Sequence, residues 1–278
     1  MNGIAGLLRP TFRYWMKTEV HVYAFSVAAN VLLSFYPFLI VAVSVASKVF
    51  GYIPALSAID LALSDFFPDA LGTFLRHNPP PRGNIEIISL ILLMFTANGV
   101  FEPLEVGLNN VWGIRTNRSF FRNQLVSLAL IFVCGGLVLG SLLLTAFTQE
   151  SYRTITGTQP SWMPPWLFSW MPLLTFKMAA LWVTVFVLFL VYRYLPNGKP
   201  PLRRVIPAAI IVGILLEVLK YINRWVWPWF YKKLDREYNV FKNSVTLILL
   251  GFLVSMLVLA GAEWSARGHR MDKEELNG

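Results

Sequence analysis

The chain has 278 residues, 56% of them hydrophobic and only 14% charged, against roughly 25% charged in an average soluble domain. Lys and Arg number 24 against 15 Asp and Glu, a net charge of +9, so the composition excludes both a disordered segment and an acidic solvating tail. The single cysteine, Cys134, excludes an internal disulfide framework and a cysteine-rich zinc site, and in so apolar a chain the basic balance fits membrane loops better than nucleic-acid binding.

Residues 1–20 interleave Leu7, Leu8, Phe12, Trp15 and Met16 with Arg9, Arg13 and Lys17, the pattern of an interfacial helix rather than a cleaved signal. Val22 to Ser47 carries no charge and predicts a first membrane span near 22–47, since about 20 apolar residues cross the hydrocarbon core. From Leu56 to Leu75, Ile59, Leu63, Phe66, Phe67 and Phe74 recur near helical spacing with Asp60, Asp65 and Asp69 on other faces. That predicts a second interfacial helix, ended by the Pro-rich stretch 78–83.

A second span is predicted near 86–111, bounded on the apolar run by Glu86 and Glu102, and a third near 123–149, which is uncharged throughout. The fourth, near 173–195, extends back past Lys177; the fifth, near 205–227, contains Glu217, Lys220 and Arg224; the sixth lies near 243–264, followed by a tail over 265–278. Charged residues inside such helices usually face a bundle interior. The expected architecture is a single all-α membrane domain over residues 1–278, a polytopic protein of six transmembrane helices with amphipathic interfacial helices.

Lys and Arg outside the spans set the orientation. Arg9, Arg13, Lys17, Arg115, Arg118, Arg122, Arg193, Lys199, Arg203, Arg204, Arg267, Arg270 and Lys273 share one side, thirteen cations against eight on the other: Arg76, Arg82, Arg153, Arg224, Lys232, Lys233, Arg236 and Lys242. Both termini are therefore expected in the cytoplasm of a bacterial inner (plasma) membrane protein. Trp162, Trp166 and Trp170, with Trp225, Trp227 and Trp229, would form an aromatic belt on the outer face.

Four segments carry a resemblance. The first span has Leu33, Ser34, Phe35, Tyr36 and Pro37; the second ends with Leu108, Asn109, Val111, Trp112 and Gly113; the fourth ends in Tyr192 to Asn197; the sixth ends in Gly261, Ala262 and Glu263. In order and spacing these resemble the bacterial inner-membrane proteins called BrkB or YihY, once labelled ribonuclease BN, over most of the chain. The sequence departs from the family pattern at Ala29 and Asn30, where an aromatic pair is expected, and at Tyr238 and Asn239, where a Tyr-Gly step is expected. The resemblance implies six helices and no settled biochemical activity, with transport of a small solute or a lipid as the usual suggestion.

Catalytic chemistry has little support. His21, His77 and His269 are far apart, and no HExxH, Walker A, GxSxG or GxGxxG phrase occurs. A ribonuclease would need a metal-binding carboxylate cluster or a His acid and base pair; Asp60, Asp65 and Asp69 are better read as the solvated face of an interfacial helix. The expectation is no enzyme, no cofactor, no metal and no nucleic-acid partner.

Polar residues at bilayer depth are the remaining candidates, because they need a partner, a cavity or a function there. Ser26, Asn30 and Ser34 recur every four residues on the first span, with Pro37 expected to kink it. Asn98, Glu102, Glu105 and Asn109 share one face of the second, where Pro103 interrupts the ladder or begins a new helix after a break at Asn98 and Gly99. Glu217 and Lys220 are three apart and able to pair. Interhelical hydrogen bonding and a structural ion pair are the rival readings. Glu263 is expected to snorkel at a helix end, and Cys134 to act as a small packing residue.

Asn30, Ser34, Asn98, Glu102, Glu105, Asn109, Glu217 and Lys220 are thus the candidate cavity-lining residues. The expected partners are the lipid bilayer and a small solute, ion or lipid moving through a polar interior; the alternative is a non-transporting structural or assembly protein of the envelope. The sequence leaves open the substrate, the coupling ion and the oligomeric state.

Overall fold

The computed structural model describes residues 4–51, 59, 84–115, 118–119, 121–123, 125–137, 140, 165–238 and 241–277. Seven helices account for nearly all of them: α1 (Ile4–Trp15), α2 (Thr18–Phe50), α3 (Asn84–Trp112), α4 (Phe121–Leu137), α5 (Pro165–Tyr194), α6 (Leu202–Tyr238) and α7 (Lys242–Asn277). Among the described residues there is no strand, as expected for backbone that must satisfy its own hydrogen bonds in lipid.

α2, α3, α6 and α7 are each long and apolar enough to cross a membrane. Phe121–Leu137 and Met178–Tyr194 are shorter apolar helices. The expected third span continues over 138–149, which apart from Gly140 lies outside the described residues, as does the predicted interfacial helix at 56–75 except Ile59. Ile87, Ile88, Ile91, Phe95, Trp182, Ile214 and Trp225 are exposed on the outside of the bundle, an apolar surface far beyond what a water-soluble monomer carries. The molecule is an all-α membrane protein.

Several boundaries differ from the sequence expectation. The first interfacial helix ends at Trp15, because Lys17 is extended at φ −75°, ψ 134°. The His21 ring nitrogen donates to the freed Trp15 carbonyl at 2.8 Å, and α2 begins at Thr18. α3 runs unbroken through Asn98, Gly99 and Pro103, so no break occurs there. α6 continues past residue 227 to Tyr238, and the expected tail after 264 is helical through Asn277 as part of α7. At 1.5 Å per residue these two helices reach about 55 Å, longer than the roughly 30 Å hydrocarbon core, so they project beyond it or tilt.

α7 packs against α1, α2, α3 and α6, while α5 packs on α6 and α3 on α2. Close approach depends on small residues: a Cβ at Gly251 would lie 3.2 Å from the Cα of Ala28, and one at Gly99 only 2.1 Å from Asn30 Oδ1. Small residues let membrane helices gain dispersion contacts that lipid itself cannot supply better. One core gathers Val20, Leu108, Tyr192, Leu195, Val205 and Leu259; a second gathers Leu39, Ile59, Trp227, Leu247 and Leu250 toward the opposite end.

Candidate functional site

Helix termini converge at one end of the bundle. α3 stops because Gly113 takes φ +66°; its N–H donates to Asn110 O at 3.2 Å, and the Ile114 N–H donates to Asn109 O at 2.9 Å. These two bonds satisfy carbonyls that a helix end leaves orphaned. α5 stops before Pro196, and its last carbonyls are taken by Arg118, which donates to Tyr194 O at 3.2 Å, Leu195 O at 3.4 Å and Pro196 O at 2.5 Å. Arg193 donates to Pro200 O in the same turn.

Glu105 and Asn109 stand where these ends meet. The Asn197 N–H donates to Asn109 Oδ1 at 2.7 Å, and Asn109 Nδ2 donates to Glu105 Oε1 at 3.4 Å. Asn123 of α4 and Asn197 also present their side chains to the buried Glu105 carboxylate, and the Arg118 charge acts on it. Burial pushes the Arg118 guanidinium down from its ordinary value; Glu105 opposes that shift and Arg122 adds to it. The result is a polar clamp on α3, α4 and the α5–α6 turn, with a carboxylate surrounded by amide groups but without a nucleophile and base pair.

The predicted site residues divide accordingly. Glu105 and Asn109 belong to the clamp, whereas Glu102 on the same sequence stripe is exposed and Asn98 is half-buried. Asn30 donates to Ser26 O at 2.9 Å, and Ser34 donates to Asn30 O at 2.9 Å and Val31 O at 3.1 Å; both side chains bond back to their own helix. Lys220 Nζ lies 2.8 Å from Glu217 Oε2, forming an ion pair on α6. None of the eight lines either of the two cavities that open at the end where the helix termini converge. Cys134 is buried in the first core.

The first cavity, about 530 Å³, opens among α1, the start of α2, the end of α3 and α7. Arg9, Arg13 and Lys17 face Glu19 and Glu263 across it, with Tyr14 and Tyr23 in the wall. Glu263 does not snorkel: it is buried beneath α1, where Thr11 donates to its Oε2 at 2.6 Å and Arg267 donates to Thr11 at 3.2 Å. Burial first, and Glu263 second, push the Tyr14 phenol far above its ordinary value. In the sequence Glu263 lies at the end of the predicted sixth span and reads as a snorkelling residue; its Gly-Ala-Glu motif is the available signal.

The second cavity, about 490 Å³, lies between α4 and the end of α5, with cations at its mouth and an apolar wall below. Among the described residues, no group of three or more His, Cys, Asp or Glu is placed to hold a metal ion.

The clamp joins the motif regions that close α3 and α5, while Glu263 of the third motif is held separately beneath α1. The family model "Virulence factor BrkB" matches residues 11–278. The chain belongs to the BrkB family. Relatives of this BrkB-family chain include a UPF0761 membrane protein of Psychrobacter sp. (strain PRwf-1), 24% identical over 90% of this chain and 46% of that protein. Another UPF0761 membrane protein, of Chromobacterium violaceum, is 26% identical over 87% of this chain and 56% of its own length. One from Chlorobium chlorochromatii is 23% identical over 90% and 56%. The chain thus spans about half the length of these relatives. No solved structure matches.

Proposed function

We propose that this BrkB-family chain is a non-catalytic protein of the bacterial inner membrane, with both termini cytoplasmic, that moves a small solute, ion or lipid taken up at its basic end. The observation carrying the reading is the first cavity, whose walls come from α1, α2, α3 and α7 and whose lining sets three cations against two carboxylates. A mouth of that charge pattern suits a polar or ionic substrate. Entry there replaces the sequence-based picture of a path through the stripe at Asn98 to Asn109. Cytoplasmic placement of this end follows from its cations: Arg9, Arg13, Lys17, Arg115, Arg118, Arg122, Arg193, Lys199, Arg203, Arg204 and Arg267.

A structural or assembly role is the second reading, and a specific observation favours it. Asn30 and Ser34 donate back to their own helix and Lys220 pairs with Glu217, which commits these groups to the fold rather than to a moving substrate. Flux in proteoliposomes separates the two. With the purified chain reconstituted, uptake of labelled ions, small anions or a fluorescent lipid above that of empty vesicles supports transport, and Glu263→Gln should change it. Vesicles as tight as protein-free controls to all of them put the structural reading ahead.

A further inference from the structure

The second cavity has a different chemistry from the first. Its mouth holds Arg118, Arg122, Arg193 and Lys199, and among the described residues no carboxylate lines it, whereas in the first cavity Glu19 and Glu263 offset most of the positive charge. Arg118 and Arg193 are fixed in place, since both donate to carbonyls of the α5–α6 turn. Arg122 and Lys199 are exposed beside them. Arg122 lies near enough to Arg118 for their charges to oppose each other, so an anion between them would relieve repulsion as well as gain attraction.

Below the mouth the lining becomes hydrocarbon. Val126, Ala129, Leu130 and Val133 follow Arg122 on one face of α4, opposite Leu190 of α5. From Arg122 to Val133 this face descends about 16 Å at 1.5 Å per residue, close to one leaflet's half of the roughly 30 Å core. A charged entrance at headgroup level above an apolar groove one leaflet deep matches an amphiphile with an anionic head and an acyl chain, and basic pockets between membrane helices are suited to such heads.

We infer that the groove between α4 and α5 is a binding site for an anionic phospholipid, its phosphate held at Arg122 and Lys199 beside Arg118 and Arg193 and one acyl chain laid along Val126, Leu130 and Val133. The lipid bridges α4 to the clamped end of α5, so it is a resident of the fold rather than the transported substrate. The site is separate from the first cavity and stands whether or not flux is found.

The test uses the full chain, purified in a neutral detergent, with thermal unfolding followed during titration of a short-chain phosphatidylglycerol. Parallel titrations use phosphatidylcholine of the same chain length and inorganic phosphate. The inference expects stabilisation by phosphatidylglycerol only. In the double variant Arg122→Gln with Lys199→Gln the apparent affinity should fall roughly thirtyfold, the loss of two juxtamembrane cations; the pair Arg122→Lys with Lys199→Arg should retain it. Val133→Trp, which fills the groove and leaves the cations in place, should also weaken binding. Equal stabilisation by phosphate would overturn the lipid in favour of a free anion. Equal stabilisation by phosphatidylcholine, no stabilisation by any of the three, or an effect unchanged in the Gln double variant or in Val133→Trp would overturn the site. All three variants change exposed side chains, and elution as a single species with unchanged helicity confirms folding.

Discussion

The side-chain oxygen of Asn109 accepts the backbone N–H of Asn197 at 2.7 Å, joining positions 88 residues apart. The same amide turns its nitrogen to Glu105, so one side chain of α3 both supports the turn after α5 and holds a buried carboxylate in place. Arg118 reinforces the joint from the α3–α4 connection by occupying the carbonyls of Tyr194 and Pro196. Two motifs remote in sequence are parts of one clamp.

Asn109→Ala removes both bonds and leaves the Asn197 N–H and Glu105 short of partners. A buried polar group deprived of its partner costs about 1 to 3 kcal/mol, so the thermal midpoint in detergent should drop clearly. Glu102→Ala, on the same stripe but exposed, should stay within about 0.5 kcal/mol of the parent. Equal midpoints for the two variants would show that the clamp does not stabilise the fold.

Thr11 ties α1 to α7 through Glu263. A hydrogen bond to a charged group contributes about 1.5 to 3 kcal/mol, much of the attachment available to a short helix that meets the bundle mainly on α7. Thr11→Val should therefore release α1: amide exchange over residues 4–15 speeds up severalfold while exchange in the middle of α2 stays the same. Unchanged exchange in α1 would assign its docking to apolar contacts instead.

Glu217 and Lys220 form an ion pair at 2.8 Å with side chains 22% and 15% exposed. Glu217→Leu removes the carboxylate paired with the ammonium, at a cost of up to about 3 kcal/mol given the residual exposure, whereas replacing both with Leu and Met is close to neutral. Melting curves should rank the double variant above the single one. The opposite ranking would mean that the pair contributes little.

Topology is tested by cysteines placed singly at Lys48, Ser119, Arg203 and Lys232 in a Cys134→Ser background. The helix directions put Ser119 and Arg203 at the basic end and Lys48 and Lys232 at the other. An impermeant thiol reagent added to intact cells should label positions 48 and 232 and spare 119 and 203. Labelling of 119 and 203 alone would invert the orientation, in spite of the cation count, to which Lys48 adds one more charge on the outer side than the loops alone suggest.

Local properties of the chain are legible in its residues. Apolar runs without charge place α2 and α7, because a segment in lipid has to close its backbone hydrogen bonds within itself and so becomes helical wherever it is long and apolar enough. The pairing of Glu217 with Lys220 is legible for a similar reason, since residues three apart on a helix are neighbours regardless of what surrounds them. The boundaries near residues 17, 103, 227 and 264 are less so: Pro103 stays within one long helix, and α6 and α7 continue past the predicted ends of their spans.

The meeting of distant polar groups is decided only by the tertiary structure. Periodicity puts Glu102 and Glu105 on one stripe, yet Glu105 is buried in the clamp and Glu102 is exposed, because the neighbours of α3 cover only part of that face. Glu263 ends the uncharged run of α7, a position that in sequence suggests reaching the interface, but the helix continues to Asn277 and Thr11 of α1, 252 residues away, lies over it. Between membrane helices the hydrophobic effect gives little direction, since lipid tails are as apolar as the side chains; packing of small residues and interhelical hydrogen bonds set rotation and depth. By itself the sequence determined that this is an all-α membrane protein with a strongly basic side, from the transfer energetics of its own residues. Which polar side chains are clamped, which are exposed and where cavities open was decided by the fit of one helix against another.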